Sequence, residues 1–98
     1  MKHLFIRNLV TNQTFNDASS DKRKKWFEEH EKLAKNYGLK LIFHGTPWGI
    51  PESYSIVYES DKSLDNFVTF LRAWYPHMEK HGLESYWTSG TTVTIIAP

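Results

Sequence analysis

The sequence contains no cysteine, which excludes disulfide bonds, thiolate metal ligands and cysteine nucleophiles. It has no apolar run near the roughly 20 residues that a membrane helix requires, so we expect no membrane partner. Its first ten residues are too short and too mixed in polarity for a secretory signal, because Arg7 interrupts them. Together these absences predict a cytoplasmic protein.

An excess of charge of either sign is also missing, since the sequence has 12 basic and 11 acidic side chains. The one basic run, residues 22–25, is followed at once by acidic residues at helical spacing, as Lys24 is by Glu28. Such pairs are typical of a solvated helix face, and we predict no nucleic-acid partner. A chain of 98 residues has room for one core, so we predict a single domain over 1–98.

Alternating hydrophobicity predicts four strands, and turn-forming residues separate them. Residues 11–18 are predicted to form a loop, and the loop 46–52 is predicted to carry Trp48 at its tip. Gly90 is expected to mark a bulge or break in the last strand. The predicted strands span residues 2–10, 39–45, 53–60 and 84–97.

Two helices are predicted between these strands. The first spans 20–37, with Ser20 as its cap and Gly38 as its stop. The second spans 64–75, with Ser63 as its cap and Pro76 ending or kinking it. The apolar stripe of the first helix comprises Trp26, Phe27, His30, Leu33, Ala34 and Tyr37, and that of the second comprises Leu64, Phe67, Val68, Leu71 and Trp74 or Tyr75. Within the first stripe we interpret His30 as a satisfied core histidine.

The element order strand, helix, strand, strand, helix, strand favours an α+β fold of the ferredoxin-like βαββαβ type. This fold has a four-stranded antiparallel sheet with two helices on one face. Yet strand one is apolar on both faces, with Phe5 and Leu9 on one face and Leu4 and Ile6 on the other. Strand two shows the same pattern, with Leu39, Leu41 and Phe43 on one face and Ile42 on the other. A bare apolar face is avoided by monomers, so we predict a homodimer formed through the sheet faces.

A unit of this length and pattern resembles the dimeric α+β barrel superfamily of ferredoxin-like folds. The segment Gly38 to Leu71 carries the resemblance best, with a helix-ending glycine, a strand, a turn and an alternating strand that runs into VYESDKSLDNFVTFL. That superfamily includes cofactor-free quinol-type monooxygenases, haem-degrading monooxygenases, isomerases and many proteins without known activity. The resemblance therefore implies a dimeric α+β barrel fold and leaves the function open.

Candidate binding residues come from strand ends and from polar residues in apolar surroundings. His44 ends strand two beside the Trp48 loop, and Arg7 can stabilise an anion of an aromatic substrate. The full set of candidate binding residues is Arg7, Asn8, His44, Tyr54, Trp74 and His77. We expect any small-molecule site to lie between the sheet and the helices of one subunit, lined by Asn8 and Trp74. No residue is assigned a catalytic role.

The resemblance also implies one cofactor as an alternative. Haem-degrading members use an asparagine on the first strand with a tryptophan and a histidine from the second helical region, which points to Asn8, Trp74 and His77. The spacing from tryptophan to histidine is much shorter here, and Pro76 intervenes. A two-histidine metal site of His77 with His81 would require the helix to continue past Pro76. We therefore expect neither a cofactor nor a metal.

Two functions remain open from the sequence. The first is a dimer that binds a small apolar or aromatic molecule, with monooxygenase-like activity as an option. The alternative is a non-catalytic structural or binding dimer whose aromatic residues serve the core and the interface. No motif with defined catalytic geometry separates the two.

Overall fold

The computed structural model describes residues 2–98 and shows a four-stranded antiparallel sheet in the order β2-β3-β1-β4, with helices on one face. In chain order the elements are β1 (His3–Thr11), α1 (Gln13–Asp17), α2 (Ser20–Asn36), β2 (Lys40–Gly45), β3 (Tyr54–Ser60), α3 (Leu64–Lys80) and β4 (Trp87–Ile96). The predicted ferredoxin-like α+β fold is confirmed. Within residues 2–98 no helix is long and apolar enough to cross a membrane.

Helix α2 begins at Ser20, as predicted, but its cap lies one residue earlier than predicted. Ser19 is the N-cap, and its Oγ accepts a hydrogen bond of 3.2 Å from the backbone N–H of Lys22. Trp26, Phe27, His30 and Ala34 are buried, as the predicted stripe requires. Gly38 follows the helix with φ +74°, a conformation that favours glycine.

Helix α3 continues through Pro76 to Lys80, so its predicted end at residue 75 is wrong, and of the two predicted effects of Pro76, termination does not occur. A proline inside a helix costs roughly 3 kcal/mol through a lost hydrogen bond and a steric clash. Trp74 and Met78 on either side of Pro76 are both buried in the core, and this packing offsets the cost. Ser63 holds the N-cap position, but its side chain makes no capping hydrogen bond.

The buried stripe of α3 also differs from the predicted one. Phe67 and Trp74 are buried as predicted, and Leu71 packs at the edge of the core. Phe70 is fully buried although it was not assigned to the stripe. Of the residues in the predicted stripe, the structure leaves Leu64, Val68 and Tyr75 exposed.

The predicted loop 11–18 contains the short helix α1. Asn12 caps it, and its Oδ1 accepts a hydrogen bond of 3.0 Å from the backbone N–H of Phe15. Phe15 is thereby turned into the core, where it packs at 5.2 Å between ring centroids from Tyr54.

Strand β2 contains a β-bulge that reverses the predicted orientation of its end. Leu41 pairs with Tyr58, and the next paired residue, Phe43, faces Val57, so Ile42 is the extra residue. Phe43 therefore points away from the helices and is 71% exposed, whereas the prediction placed it on the same face as Leu41. His44, opposite Ile56, is turned to the helical side.

The face of the sheet opposite the helices, called the outer sheet face below, carries a group of apolar residues together with polar ones such as Ser55 and Glu59. Phe5 and Leu9 of β1 point to the helices and are fully buried. Leu4, Ile6, Asn8 and Val10 alternate with them and lie on the other side, as predicted. The strand pairings bring the following apolar residues to the outer sheet face: Leu4, Ile6, Val10, Phe43, Val57, Val93 and Ile95.

Strand β4 begins at Trp87, and its irregularity lies at Thr88, two residues before the predicted position. The register shifts between Val10, opposite Ser89, and Thr11, opposite Trp87, so Gly90 is not the bulge. Gly90 instead lies opposite Leu9, where a Cβ would be 2.7 Å from the Leu9 Cδ2 atom. Close approach of the neighbouring strand thus requires glycine here.

We predict that Gly90→Ala lowers the free energy of unfolding by about 1–3 kcal/mol, because the added methyl group overpacks the contact with Leu9. Urea denaturation followed by tryptophan fluorescence measures this change. Gly45→Ala is the matched control, since its Cβ would meet nothing closer than an atom of Phe43 at 4.0 Å. Equal losses in the two variants would contradict the steric explanation.

Candidate functional site

An open cleft of about 500 Å³ lies between α2 and the hairpin of β2 and β3. It is called the α2 cleft below. Its volume falls within the range of roughly 300–1,000 Å³ that is usual for small-molecule sites. The α2 cleft is lined by Phe15, Ser20, Arg23, Lys24, Phe27, Glu28, Glu31, His44 and Tyr54.

The walls of the α2 cleft are aromatic. The ring of His44 stacks on that of Phe27, with 4.0 Å between centroids and an interplanar angle of 2°. Phe27 also lies 5.7 Å from the ring of Tyr54. The bulge at Ile42 is what turns His44 to this side of the sheet. The cleft thus offers flat apolar surfaces of the kind on which a planar ring packs.

His44 and Tyr54 form a hydrogen-bonded pair in the cleft, with 2.5 Å between His44 Nδ1 and the Tyr54 hydroxyl oxygen. Partial burial lowers the pKa of His44, and Glu31 opposes this shift through its charge. Burial also raises the pKa of Tyr54, against the opposing charge of Arg23. Both groups are therefore neutral at pH 7. One proton lies between Nδ1 and the hydroxyl oxygen, and the second ring nitrogen of His44 is left for a ligand.

Arg23 holds the wall of the cleft in place. Its Nε and Nη2 atoms donate hydrogen bonds of 3.0 and 2.7 Å to the carbonyl oxygen of Phe15, and its guanidinium lies 4.3 Å from the centroid of the Phe15 ring. These contacts fix α1 against α2. The remaining charges of the cleft are mixed, with Lys24 beside Glu28 and Glu31.

Of the six candidate binding residues, only His44 and Tyr54 line the α2 cleft. Asn8 lies on the outer sheet face, where its Oδ1 accepts a hydrogen bond of 2.7 Å from Ser55 Oγ. Trp74 is buried on the opposite, helical side. The predicted pocket lined by both Asn8 and Trp74 is therefore wrong, because alternation along β1 separates them.

The set of residues that the resemblance implies for haem does not fit one cavity. Asn8 lies on the outer sheet face, whereas His77 Nε2 is engaged at 3.2 Å by Glu29 Oε2 on the helical side. A flat macrocycle cannot contact both, because the sheet lies between them. We derive no haem chemistry from these residues.

Arg7 and Trp74 belong instead to a buried polar group centred on His30. His30 is fully buried, and its Nε2 lies 2.5 Å from the Tyr58 hydroxyl oxygen. Burial lowers the pKa of His30 to about 3, with smaller contributions of the same sign from the charges of Arg7, His44 and His77. Among residues 2–98, three buried nitrogen atoms of this group find no hydrogen-bond partner: Arg7 Nε, His30 Nδ1 and Trp74 Nε1. The predicted satisfied core histidine is thus satisfied at one nitrogen only.

His77 lies between α2 and α3 and not at an exposed helix end. Only a fifth of its side chain is exposed, and its ring stacks on Trp74 with 5.6 Å between centroids. The hydrogen bond from His77 lowers the pKa of Glu29, although partial burial of the carboxyl group opposes this. The ring of His81 lies 4.2 Å from that of His77.

Sequence reasoning missed the aromatic and basic residues that complete the α2 cleft. Phe27 was assigned to the apolar stripe of α2, but nothing in the sequence paired it with His44. Phe15 lies in the predicted loop 11–18. Asn12, three positions before it, is a residue type that favours the N-cap of a helix and indicates a helix start here. The role of Arg23 required the position of the Phe15 carbonyl group, which only the fold provides.

Comparisons with known proteins identify the fold. No family model matches the chain, and no curated protein matches it in sequence. A dimeric ferredoxin-like protein of unknown function from Thermobifida fusca is similar in structure, with a TM-score of 0.57, 17% identity, and coverage of 99% of this chain and 92% of that one.

Two further solved structures resemble the chain. A mutant chlorite dismutase from Candidatus Nitrospira defluvii has a TM-score of 0.60 at 14% identity; the match covers 97% of this chain and 40% of the dismutase, so the chain spans less than half of that protein. A putative transposase from Deinococcus radiodurans has a TM-score of 0.52 at 11% identity, with 100% and 79% covered. At these identities the likenesses show a ferredoxin-like α+β fold, and the fold alone.

We predict that the protein loses about 2 kcal/mol of stability between pH 7 and pH 5 through His30. The unfolded chain binds a proton near pH 6.5, but the folded chain keeps His30 neutral down to about pH 3, so acid favours unfolding in this window. Urea denaturation at both pH values measures the loss. His30→Gln should remove most of this difference, and a wild type that loses no more than the variant would contradict the assignment.

Proposed function

We propose that the protein is a homodimer of the α+β barrel type that binds a small aromatic molecule bearing a hydroxyl group in the α2 cleft. The observation that supports this most is the hydrogen-bonded pair of His44 and Tyr54 between aromatic walls. An apolar pocket with a few convergent polar groups is the usual form of a small-molecule site.

The apolar part of the proposed ligand follows from the walls. The outer face of His44, which stacks on the buried Phe27, offers one flat surface, and the half-buried ring of Tyr54 beside Phe15 offers a second, tilted one. Burial of a ring between such surfaces supplies most of the binding free energy through the hydrophobic effect, at about 25 cal/mol per Å². The cleft is large enough for one or two fused rings.

The polar part follows from the charges. His44 is neutral at pH 7, and its second ring nitrogen can exchange a hydrogen bond with a hydroxyl group. Lys24 is accompanied by Glu28 and Glu31, so the cleft does not carry the concentrated positive charge that a strongly anionic ligand would require. A neutral or weakly acidic phenol matches this environment better than a carboxylate or a phosphate.

Dimerisation through the outer sheet face is the second part of the proposal. Phe43 is 71% exposed there, and Val93 and Ile95 are half exposed. Such a continuous apolar surface is rare on monomers. The Thermobifida protein, which this chain matches over 92% of its length, is described as dimeric. Within this face Ser55 Oγ donates a hydrogen bond to Asn8 Oδ1, so this oxygen stays paired when the face is buried.

Binding without chemistry is the function that the cleft supports best, and monooxygenase-like activity is a second proposal. It is favoured by one observation, namely that His44 lines the cleft and only its Nδ1 atom is engaged by Tyr54. The lowered pKa of His44 makes it a weak base for a bound phenol. The cleft is open, however, and oxygenation favours a site from which water is excluded. Oxygen uptake in the presence of a bound phenol separates the two proposals, since a binding protein consumes none.

We predict that light scattering at micromolar concentration gives twice the chain mass of 11.5 kDa. Val93→Lys places a charge in the proposed interface and should yield the monomer, because a buried unpaired ammonium group is costly. Val68→Lys, the same change on the exposed side of α3, is the matched control and should leave the dimer intact. A wild type that scatters as 11.5 kDa would refute dimerisation.

We predict that 1-naphthol binds the wild type and that Tyr54→Phe weakens this binding about fivefold, which is the worth of one neutral hydrogen bond of roughly 1 kcal/mol. The variant keeps the ring but no longer orients His44. Isothermal titration calorimetry gives the dissociation constants. Tyr75→Phe, at an exposed tyrosine on α3, is the matched control and should bind as the wild type does.

Two results would contradict the proposal that the α2 cleft binds an aromatic molecule. The absence of measurable 1-naphthol binding to the wild type would favour the alternative of a non-catalytic structural dimer. Equal affinity in Tyr54→Phe and Tyr75→Phe would place the aromatic molecule elsewhere on the protein.

A further inference from the structure

Three potential metal ligands from two helices meet on the side of α2 that faces α3. They are Glu29 of α2, His77 of α3 and His81, the C-cap residue of α3, called the α2–α3 triad below. Their ligand atoms all lie within 4.8 Å of one another. None of the three lines the α2 cleft, so this group is distinct from the proposed small-molecule site.

The continuation of α3 through Pro76 creates the histidine pair. His77 and His81 are four residues apart, and residues with this spacing lie on the same face of a helix. Two histidines at this spacing on one helix are a known way to hold zinc. Their rings are 4.2 Å apart between centroids, at an angle of 36°. Glu29 adds a carboxylate from the facing helix, 48 positions away in sequence.

The distances suit a small dication. His77 Nε2 and Glu29 Oε2 are 3.2 Å apart. Two ligand atoms on a tetrahedral zinc ion, each bonded at about 2.0–2.1 Å, are separated by about 3.3 Å. His81 is exposed, so its ring can rotate into the third position without disturbing the core. Two histidines and a carboxylate are a ligand set that zinc uses, with a fourth position left to water.

Neighbouring side chains hold two of the three ligands in place. Trp74 stacks on the ring of His77 at an angle of 26°. Lys32 Nζ lies 3.7 Å from Glu29 Oε1, which leaves the other oxygen, Oε2, directed at His77. Glu29 and His77 are each only about one fifth exposed, so little side-chain entropy remains to be lost on binding.

We propose that the α2–α3 triad binds one divalent transition-metal ion per chain, with zinc the ion that its ligands suit best. The ion replaces the hydrogen bond between His77 and Glu29 and ties the end of α3 to the middle of α2. The expectation from sequence that no metal binds did not include Glu29, because nothing in the sequence connects it to the two histidines.

Zinc titration of tag-free protein by isothermal calorimetry tests this directly. We expect one ion per chain and a rise in the melting temperature on zinc addition. Because His81 is exposed, His81→Ala should fold normally, lose at least about tenfold in zinc affinity and lose the melting shift. Glu29→Gln should behave in the same way. Cobalt(II) offers a second readout, since its visible absorption should appear in the wild type and vanish in both variants.

Glu79→Gln is the matched control, an exposed acidic residue on α3 between the two histidines in sequence. It should bind zinc as the wild type does. A wild type without saturable zinc binding would overturn the proposal. So would zinc affinity that is unchanged in His81→Ala, because the ion would then be held by other side chains. Neither outcome bears on 1-naphthol binding in the α2 cleft.

Discussion

The contact of Trp26 with α3, β4 and the segment that joins them is the interaction on which the rest of the molecule depends. Its indole is 1% exposed and packs against Trp74 of α3, Tyr86 of the connecting segment and Trp87 of β4 at about 5 Å between centroids. Its Nε1 donates a hydrogen bond of 2.9 Å to the Glu84 carbonyl oxygen. A tryptophan buried with its N–H satisfied contributes several kcal/mol, and this one sets the position of α2.

The fixed position of α2 presents its neighbouring side chains to three different environments. Phe27 meets His44 in the α2 cleft, and His30 meets Tyr58 in the core. Glu29 meets His77 at α3. Residues that are adjacent in sequence point about 100° apart on a helix, so one helix can supply several sites at once. A shift of α2 by part of a turn would disrupt all of these contacts together.

Coverage of the sheet on one side only is the second constraint. A chain of 98 residues has just enough helix to cover one face, and small domains bury a modest share of their surface. The helical side holds the aromatic core, with Phe5 stacked on Phe67 at 4.6 Å. On the outer sheet face large apolar side chains such as Phe43, Val93 and Ile95 stay exposed within the chain, and the proposed dimerisation rests on them.

Local pattern in the sequence determined the ferredoxin-like order of elements, the two faces of β1 and the buried stripe of α2, because burial imposes the periods of two and 3.6 residues that the sequence displays. The tertiary structure alone decided where the chain departs from those two periods. The bulge at Ile42 turned His44 toward Phe27, and packing of Trp74 and Met78 carried α3 through Pro76. The bulge allows the pair of His44 with Tyr54, and the continued helix allows the pair of Glu29 with His77. Each pair joins separate elements, and no local period encodes a distance between elements that meet only when the chain has folded.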